Sequence, residues 1–289
     1  MTKWQDSAAE GISGGTDRLQ YKKGFVHLHV HSEHSPHDGT VPVKDYVTRV
    51  RNMGMGALAL TDHGVMPGVE ELFQECQKAG IRPIAGSEVY VEPFSGVSGR
   101  SRHHLVLLAE NRRGYYNLKH LIAEGHFAGN DEYSLITRKM LEENSTGLIA
   151  LSACRRGEVP SLVLEDRYNE ALEVAGSYLE IFEKDSYFLE LVGTTSKPYP
   201  ELNKRLIKLA GKTGLPLVAT GDVHYLEKGE FMHPPGSPAF PPNRRIPEQY
   251  KIPLDDFYLK SAGEMWEIFR SDAPHAVRNA VSIAERCNY

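Results

Sequence analysis

The segment Phe25-Val-His-Leu-His-Val-His31 spaces three histidines two residues apart. On an extended strand they share one face, and Val26, Leu28 and Val30 share the other. The run opens a series of aliphatic segments that should be buried on both faces, so metal ligation by His29 and His31 fits it better than a water-facing histidine stripe. Just past it, the turn Ser35-Pro-His-Asp-Gly39 sets Asp38 near the strand's C-terminal end, with His34 and His37 close by; Asp-Gly is equally a generic turn signal. The next aliphatic run closes on Leu60-Thr-Asp-His-Gly64. Neighbouring strand residues point to opposite faces, so one of that pair faces a pocket: His63 is expected as the ligand, and Asp62 as its support or as a turn residue. Glu88 stands amid Ile84, Val89 and Val91, where an unpaired carboxylate is costly to bury and a cation partner is expected. His103-His104 precedes an aliphatic run and Cys154 follows another, while Asp222 and His224 share one face after Leu215-Pro-Leu-Val-Ala-Thr-Gly221.

Taken singly, Cys154 reads as a small core residue. Taken together, His, Asp, Glu or Cys stands at or beside strand ends in six of seven strand-like units, where parallel α/β folds assemble sites from separate loops. The candidate ligand set is His29, His31, Asp38, His63, Glu88, His104, Cys154, Asp222 and His224. At roughly four or five ligands per ion, with a bridging carboxylate, such a set suits two or three divalent ions. Imidazole, carboxylate and one thiolate favour Zn, Mn or Fe over Mg or Ca. Arg100, Arg102, Arg112, Arg113, Arg155 and Arg156 fall near strand ends; each is a candidate for holding phosphates or a solvated surface charge.

These residues need a frame. Seven aliphatic runs are expected as strands: Phe25 to His31, Ala57 to Thr61, Arg82 to Val91, His104 to Ala109, Gly147 to Ser152, Tyr187 to Val192 and Leu215 to Thr220. Helix-like segments lie between most of them, at about Val43 to Met53, Gly68 to Ala79, Arg113 to Glu124, Thr137 to Glu143, Ser161 to Phe182 and Glu201 to Thr213, several ending at a glycine (Gly54, Gly80, Gly125, Gly214). Alternating strand and helix implies a parallel sheet with helices outside, open or closed into a barrel, and seven units fit a barrel. The stretch 232–253 is proline-rich and cannot be continuous helix. Two helical segments, about Ser261 to Arg270 and Pro274 to Cys287, follow it.

Composition bounds the rest. With 33 basic against 38 acidic residues in 289, the net charge of −5 supplies no global field for nucleic acid, so any polyanion must be held locally by arginines or cations. No apolar run reaches the roughly 18 residues of a membrane span, and residues 1–24 are polar without a signal-like apolar stretch, so no membrane partner and a cytoplasmic setting are expected. Three scattered cysteines form no disulfide framework.

The strings His27-Leu-His-Val-His-Ser32, Thr61-Asp-His-Gly64, Ala85-Gly-Ser-Glu88, His104-Leu-Val-Leu-Leu-Ala109, Leu151-Ser-Ala-Cys154 and Asp222-Val-His224 resemble the motifs of the polymerase and histidinol phosphatase (PHP) superfamily. Asn111-Arg-Arg-Gly-Tyr-Tyr-Asn-Leu118, Asp222-Val-His-Tyr225 and Asp256-Phe-Tyr-Leu-Lys-Ser-Ala-Gly-Glu-Met265 look like the branch at the N-terminus of bacterial DNA polymerase III α subunits. The resemblance covers residues 25–289 and implies an α/β fold, a distorted (β/α)7 barrel with its metal site at the C-terminal strand ends. It implies three ions: one on His29, His31, Glu88 and Asp222, one on Glu88, His104 and Cys154, one on Asp38, His63 and His224. It also implies hydrolysis of DNA phosphodiesters from a 3′ end, with His29, His31, Glu88, Asp222 and His224 catalytic, and DNA and the remainder of a polymerase as partners; by their place near strand ends, Arg100, Arg102, Arg155 and Arg156 are expected on the substrate. Two other readings stand beside it, a phosphomonoesterase of the histidinol-phosphatase kind and a structural or partner-docking module whose metals hold the barrel together. The segment 232–253 departs from the branch's pattern, and no polymerase aspartate constellation is present.

Overall fold

The computed structural model describes residues 24–36, 38–94, 101–128, 134–229 and 256–288. The elements, in chain order, are α1 (Val43–Asn52), β1 (Ala57–Leu60), α2 (Gly68–Ala79), β2 (Arg82–Val91), β3 (His103–Ala109), α3 (Arg112–Ala128), β4 (Leu135–Ile136), α4 (Arg138–Asn144), β5 (Leu148–Leu151), α5 (Glu158–Leu164), α6 (Tyr168–Ile181), β6 (Tyr187–Val192), α7 (Tyr199–Thr213), β7 (Leu217–Thr220), α8 (Ala262–Phe269) and α9 (Pro274–Arg286). The strands pair in the order β1-β2-β3-β5-β6-β7, with the two-residue β4 beside β2.

The expected first strand closes this sheet on itself. His27 bridges Leu58 of β1 on one side and Val30 bridges Val223, just past β7, on the other. The His31 amide donates to the Val223 carbonyl (2.8 Å) and the Val223 amide to the His29 carbonyl (3.0 Å). Residues 25–31 nevertheless form bridges rather than a regular ladder, because the Thr61 hydroxyl takes the Val30 amide (2.8 Å) where a neighbouring carbonyl would otherwise accept it. The result is a distorted α/β barrel of seven staves, with Leu28, Leu58, Leu60, Ile84, Val106, Leu151, Leu189 and Val218 in its buried core.

Three expectations are corrected and one element is new. The sheet is not all parallel: β3 runs antiparallel to both β2 and β5. The link 92–102 is only 11 residues long, and a parallel return needs about a dozen residues or more, usually helical. Second, the expected helix from Ser161 to Phe182 is two helices, α5 and α6, parted where Asp166 adopts a left-handed φ of 60°. Third, Gly125 ends no helix. It lies inside α3, where a Cβ would come 2.3 Å from the Ser134 hydroxyl, so glycine permits the close approach of residue 134. The strand β4 was not anticipated. Gly80 and Gly214 do close their helices in the left-handed conformation. The stretches 1–23 and 230–255, which include the proline-rich segment, lie outside the described residues.

The C-terminal helices are anchored to the barrel. Tyr225 bridges Tyr258, α8 starts on a Ser261–Glu264 capping box, and the Asn279 side chain donates to the Leu217 carbonyl (2.7 Å). Among the described residues no helix is long and apolar enough to cross a membrane.

Candidate metal centre

The antiparallel course of β3 decides the position of His104. Parallel staves bring their C-terminal ends to one rim. Because β3 starts where β2 ends, with His104 paired to Tyr90, its first residues join that rim. Around it stand His29 and His31 from the first stave, His63 after β1, Glu88 in β2, His104 in β3, Cys154 after β5, and Asp222 and His224 after β7, with Asp38 supplied by the loop behind His31.

Glu88 lies at the middle. Its Oε2 is 3.4 Å from the Nε2 atoms of both His29 and His31 and 3.1 Å from His63 Nδ1. Its Oε1 is 2.8 Å from His104 Nδ1 and 3.9 Å from Cys154 Sγ. Asp222 Oδ1 lies 3.4 Å from His29 Nε2, 3.6 Å from His31 Nε2 and 3.2 Å from His224 Nε2. Asp38 Oδ2 sits 2.8 Å from His63 Nε2 and 3.8 Å from His224 Nδ1. All nine candidates therefore meet in one cluster, and its triads include His29–His31–Glu88, His63–Glu88–His104, His31–Asp38–His63 and His31–Asp222–His224.

Four ring nitrogens here, His29 Nε2, His31 Nε2, His63 Nδ1 and His224 Nδ1, are buried without a hydrogen-bond partner among the described residues. Buried polar atoms are rarely left so, and four aimed into one acidic cavity fit cation binding. Two backbones at the rim are strained in the same sense: Ala153, beside Cys154, has φ 61° and Asp222 has φ 47°, the kind of outlier that collects at functional sites.

Electrostatics points the same way. Burial would raise the Glu88 carboxyl, yet His104, His63 and His29 hold it well below its usual range. Burial likewise opposes ionisation of Asp222, and His29, then His224 and His31, override it. Burial would lower His63, but Asp38 and Glu88 raise it to about 9. Burial, then repulsion from His224 and His63, lowers His31 to about 4. Burial, then Glu88 and Asp222, pushes the Cys154 thiol well above its ordinary value. In the protein alone, protons on His29, His63 and His224 offset the carboxylates, a task that a divalent cation would take over.

The supporting residues are equally specific. Asp62 accepts from the Ser32 amide (2.6 Å) and hydroxyl (2.9 Å), holding the loop that carries Asp38; this is the supporting place expected for it. The Ser35 hydroxyl donates to Asp38 (2.9 Å) and lies 3.2 Å from His31 Nδ1. His27 leaves the cluster: its Nε2 donates to the Lys260 carbonyl (2.8 Å), and burial lowers its pKa to about 4. His34 lies 3.5 Å from Glu71 on the surface, and His37 is outside the described residues. Glu190 in β6, 2.7 Å from His29 Nδ1, was not anticipated, although a lone carboxylate in Tyr-Phe-Leu-Glu-Leu-Val carries the same signal as Glu88.

The arginines divide. The Arg102 guanidinium lies over the Tyr90 ring (5.6 Å), and that ring stacks on His63 (5.7 Å), so Arg102 stands at the rim. Arg155 and Arg156 follow Cys154, and the Arg156 carbonyl accepts from the His104 amide (3.1 Å). Arg112 and Arg113 sit at the opposite end of the barrel, because β3 reaches its far end before α3 begins; they are removed from the candidates. Arg100 lies outside the described residues.

A family model described as the PHP domain matches residues 27–193. The chain belongs to the PHP family. Over most of its length it is similar to the DNA polymerase III α subunits of Treponema pallidum (38% identical over 278 residues) and Borreliella burgdorferi (34% over 281 residues), which cover 92% and 93% of this chain. The chain spans about a quarter of the length of these relatives (23% and 24%). Among solved structures, a provisionally described metal-dependent phosphoesterase from Bifidobacterium adolescentis aligns with TM-score 0.48 and 14% identity over 69% of this chain and 87% of that one, a likeness too remote to bear on chemistry.

Proposed function

We propose that this PHP domain is a metal-dependent phosphoesterase that removes nucleotides from DNA 3′ ends, within a bacterial replicative polymerase. The observation that carries the reading is the convergence of four imidazole nitrogens, without a hydrogen-bond partner among the described residues, with Glu88, Asp222, Asp38, His104 and Cys154 at one rim. His29, His31, Glu88 and Asp222 would hold one divalent ion of the Zn, Mn or Fe type. Glu88, His104 and Cys154 would hold a second, and Asp38, His63 and His224 a third. Bound divalent ions supply an ionised water near neutral pH and neutralise charge on phosphate oxygens. The chain's own residues do the rest. Glu88 spans the first two groups with its two oxygens, Asp222 faces His29, His31 and His224 together, and Arg102, Arg155 and Arg156 line the approach for a phosphodiester backbone. The similarity to polymerase α subunits supports DNA as substrate and a longer polymerase, in the cytoplasm, as the setting.

The test incubates the chain with Mn²⁺, or separately Zn²⁺, and a 3′-mismatched primer on a template, beside His31→Ala. Stepwise shortening with release of nucleoside monophosphates, absent from the variant, is expected. Release of inorganic phosphate from a terminal phosphate instead would make the domain a monoesterase. Full metal occupancy with no hydrolysis would make the ions structural.

A further inference from the structure

Behind His29, on the side away from the metal cluster, lies a carboxylate that the ligand set does not use. Glu190 is 1% exposed in β6. Its Oε1 lies 2.7 Å from His29 Nδ1 and accepts from the Thr220 hydroxyl at 2.5 Å. Its amide donates to the Ser152 hydroxyl at 2.9 Å, two residues before Cys154. Glu190 thus joins the first stave, the end of β5 and β7, the elements that deliver His29, Cys154 and Asp222.

We propose that Glu190 is a positioning residue that orients His29 toward a metal ion, an inference that rests on the metal-centre reading above. A ring nitrogen facing a carboxylate at hydrogen-bond distance carries a proton, because two lone pairs would repel. The His29 ring that binds a cation is therefore the Nδ1–H tautomer. Its Nε2 is directed to the side of Glu88 Oε2 and Asp222 Oδ1, both 3.4 Å away, where a cation would take the place of the Nε2 proton. A carboxylate behind a ligating imidazole fixes ring orientation and strengthens the ligand. The arrangement of the donors argues against a merely structural carboxylate. Both side-chain donors go to Oε1, while Oε2 is buried without a partner among the described residues. An unpartnered buried oxygen is costly, and a glutamine could accept the same two bonds without a charge. What glutamine lacks is the negative charge that offsets a cation.

The test strips the 289-residue chain of metal and measures Zn²⁺ affinity by chelator competition, together with the ring protons of His29 by NMR and unfolding in chelator. Glu190→Ala should weaken Zn²⁺ binding roughly 10–100-fold and abolish a low-field His29 Nδ1–H resonance that wild type shows with and without metal. Glu190→Gln should keep that resonance, through its carbonyl, and bind with intermediate affinity. If Glu190→Ala does not fold, Glu190→Gln decides alone. Variants that unfold more readily in chelator yet bind Zn²⁺ with wild-type affinity would overturn the role, as would a wild type lacking the resonance. A wild type that takes up no Zn²⁺ would instead overturn the metal centre itself, with the resonance still reporting the Glu190–His29 contact.

Discussion

At the scale of single residues, His31 and Asp222 separate binding from folding. Both are buried at the rim, His31 Nε2 has no hydrogen-bond partner among the described residues, and neither supplies core packing. His31→Ala and Asp222→Ala should therefore leave the far-ultraviolet circular dichroism unchanged while lowering bound metal per chain; unchanged metal content in either would remove it from the ligand set. Cys154 offers a spectroscopic check. Its thiol is held protonated by burial and by Glu88 and Asp222, so binding of Co²⁺ through sulfur must displace that proton. A thiolate-to-cobalt charge-transfer band is expected in wild type and absent in Cys154→Ser, and its absence from wild type would return Cys154 to the core. These residues were legible because their types are costly to bury without a partner. Glu190 obeyed the same rule and escaped because β6 ends in no conspicuous motif.

At the scale of elements, two loops set the geometry. Asp62 ties Ser32 twice, so Asp62→Ala strands a buried amide and should cost about 1–3 kcal/mol of stability by thermal or denaturant unfolding. The same variant should loosen the loop that carries Asp38 and lower metal content. Stability within a few tenths of a kcal/mol of wild type would show that Asp62 is an ordinary turn residue. Gly157 follows the Cys-Arg-Arg segment, where a Cβ would stand 1.9 Å from the Ser152 carbonyl oxygen; no flexible side chain can yield there, so the loop bearing Cys154 requires glycine. The spans of α2, β2 and β6 follow from periodicity and aliphatic runs. The direction of β3 did not follow from the assumed repeat, because one short link reverses a strand while leaving its hydrophobic pattern intact. The break between α5 and α6 carries neither glycine nor proline, and Asp166 gave no warning of its left-handed turn.

At the scale of the whole molecule, the cluster links stability to pH and to metal. His63 is raised from its ordinary 6.5 to about 9, so its contribution is fully present below about pH 6.5 and is lost as pH rises through 9. His29 and His224 are raised as well, by Glu190, Asp222 and Glu88 and by Asp222 and Asp38, each against burial, and have the same sign. The metal-free chain should therefore lose stability between about pH 6.5 and 9, and His63→Gln should lose less across that window; a flat profile would contradict the raised values. Divalent metal competes with these protons, so loading should become tighter and the loaded chain more stable across the same window. The barrel was foreseeable from seven strand units, but its closure depends on Val30 bridging Val223, a contact between distant segments that no local pattern encodes. The measurement that bears most directly on the metal centre is equilibrium dialysis of the stripped chain against Zn²⁺ or Mn²⁺, with ions counted per chain beside His31→Ala. Two or three ions in wild type and fewer in the variant are predicted; a folded wild type that retains none would contradict the account.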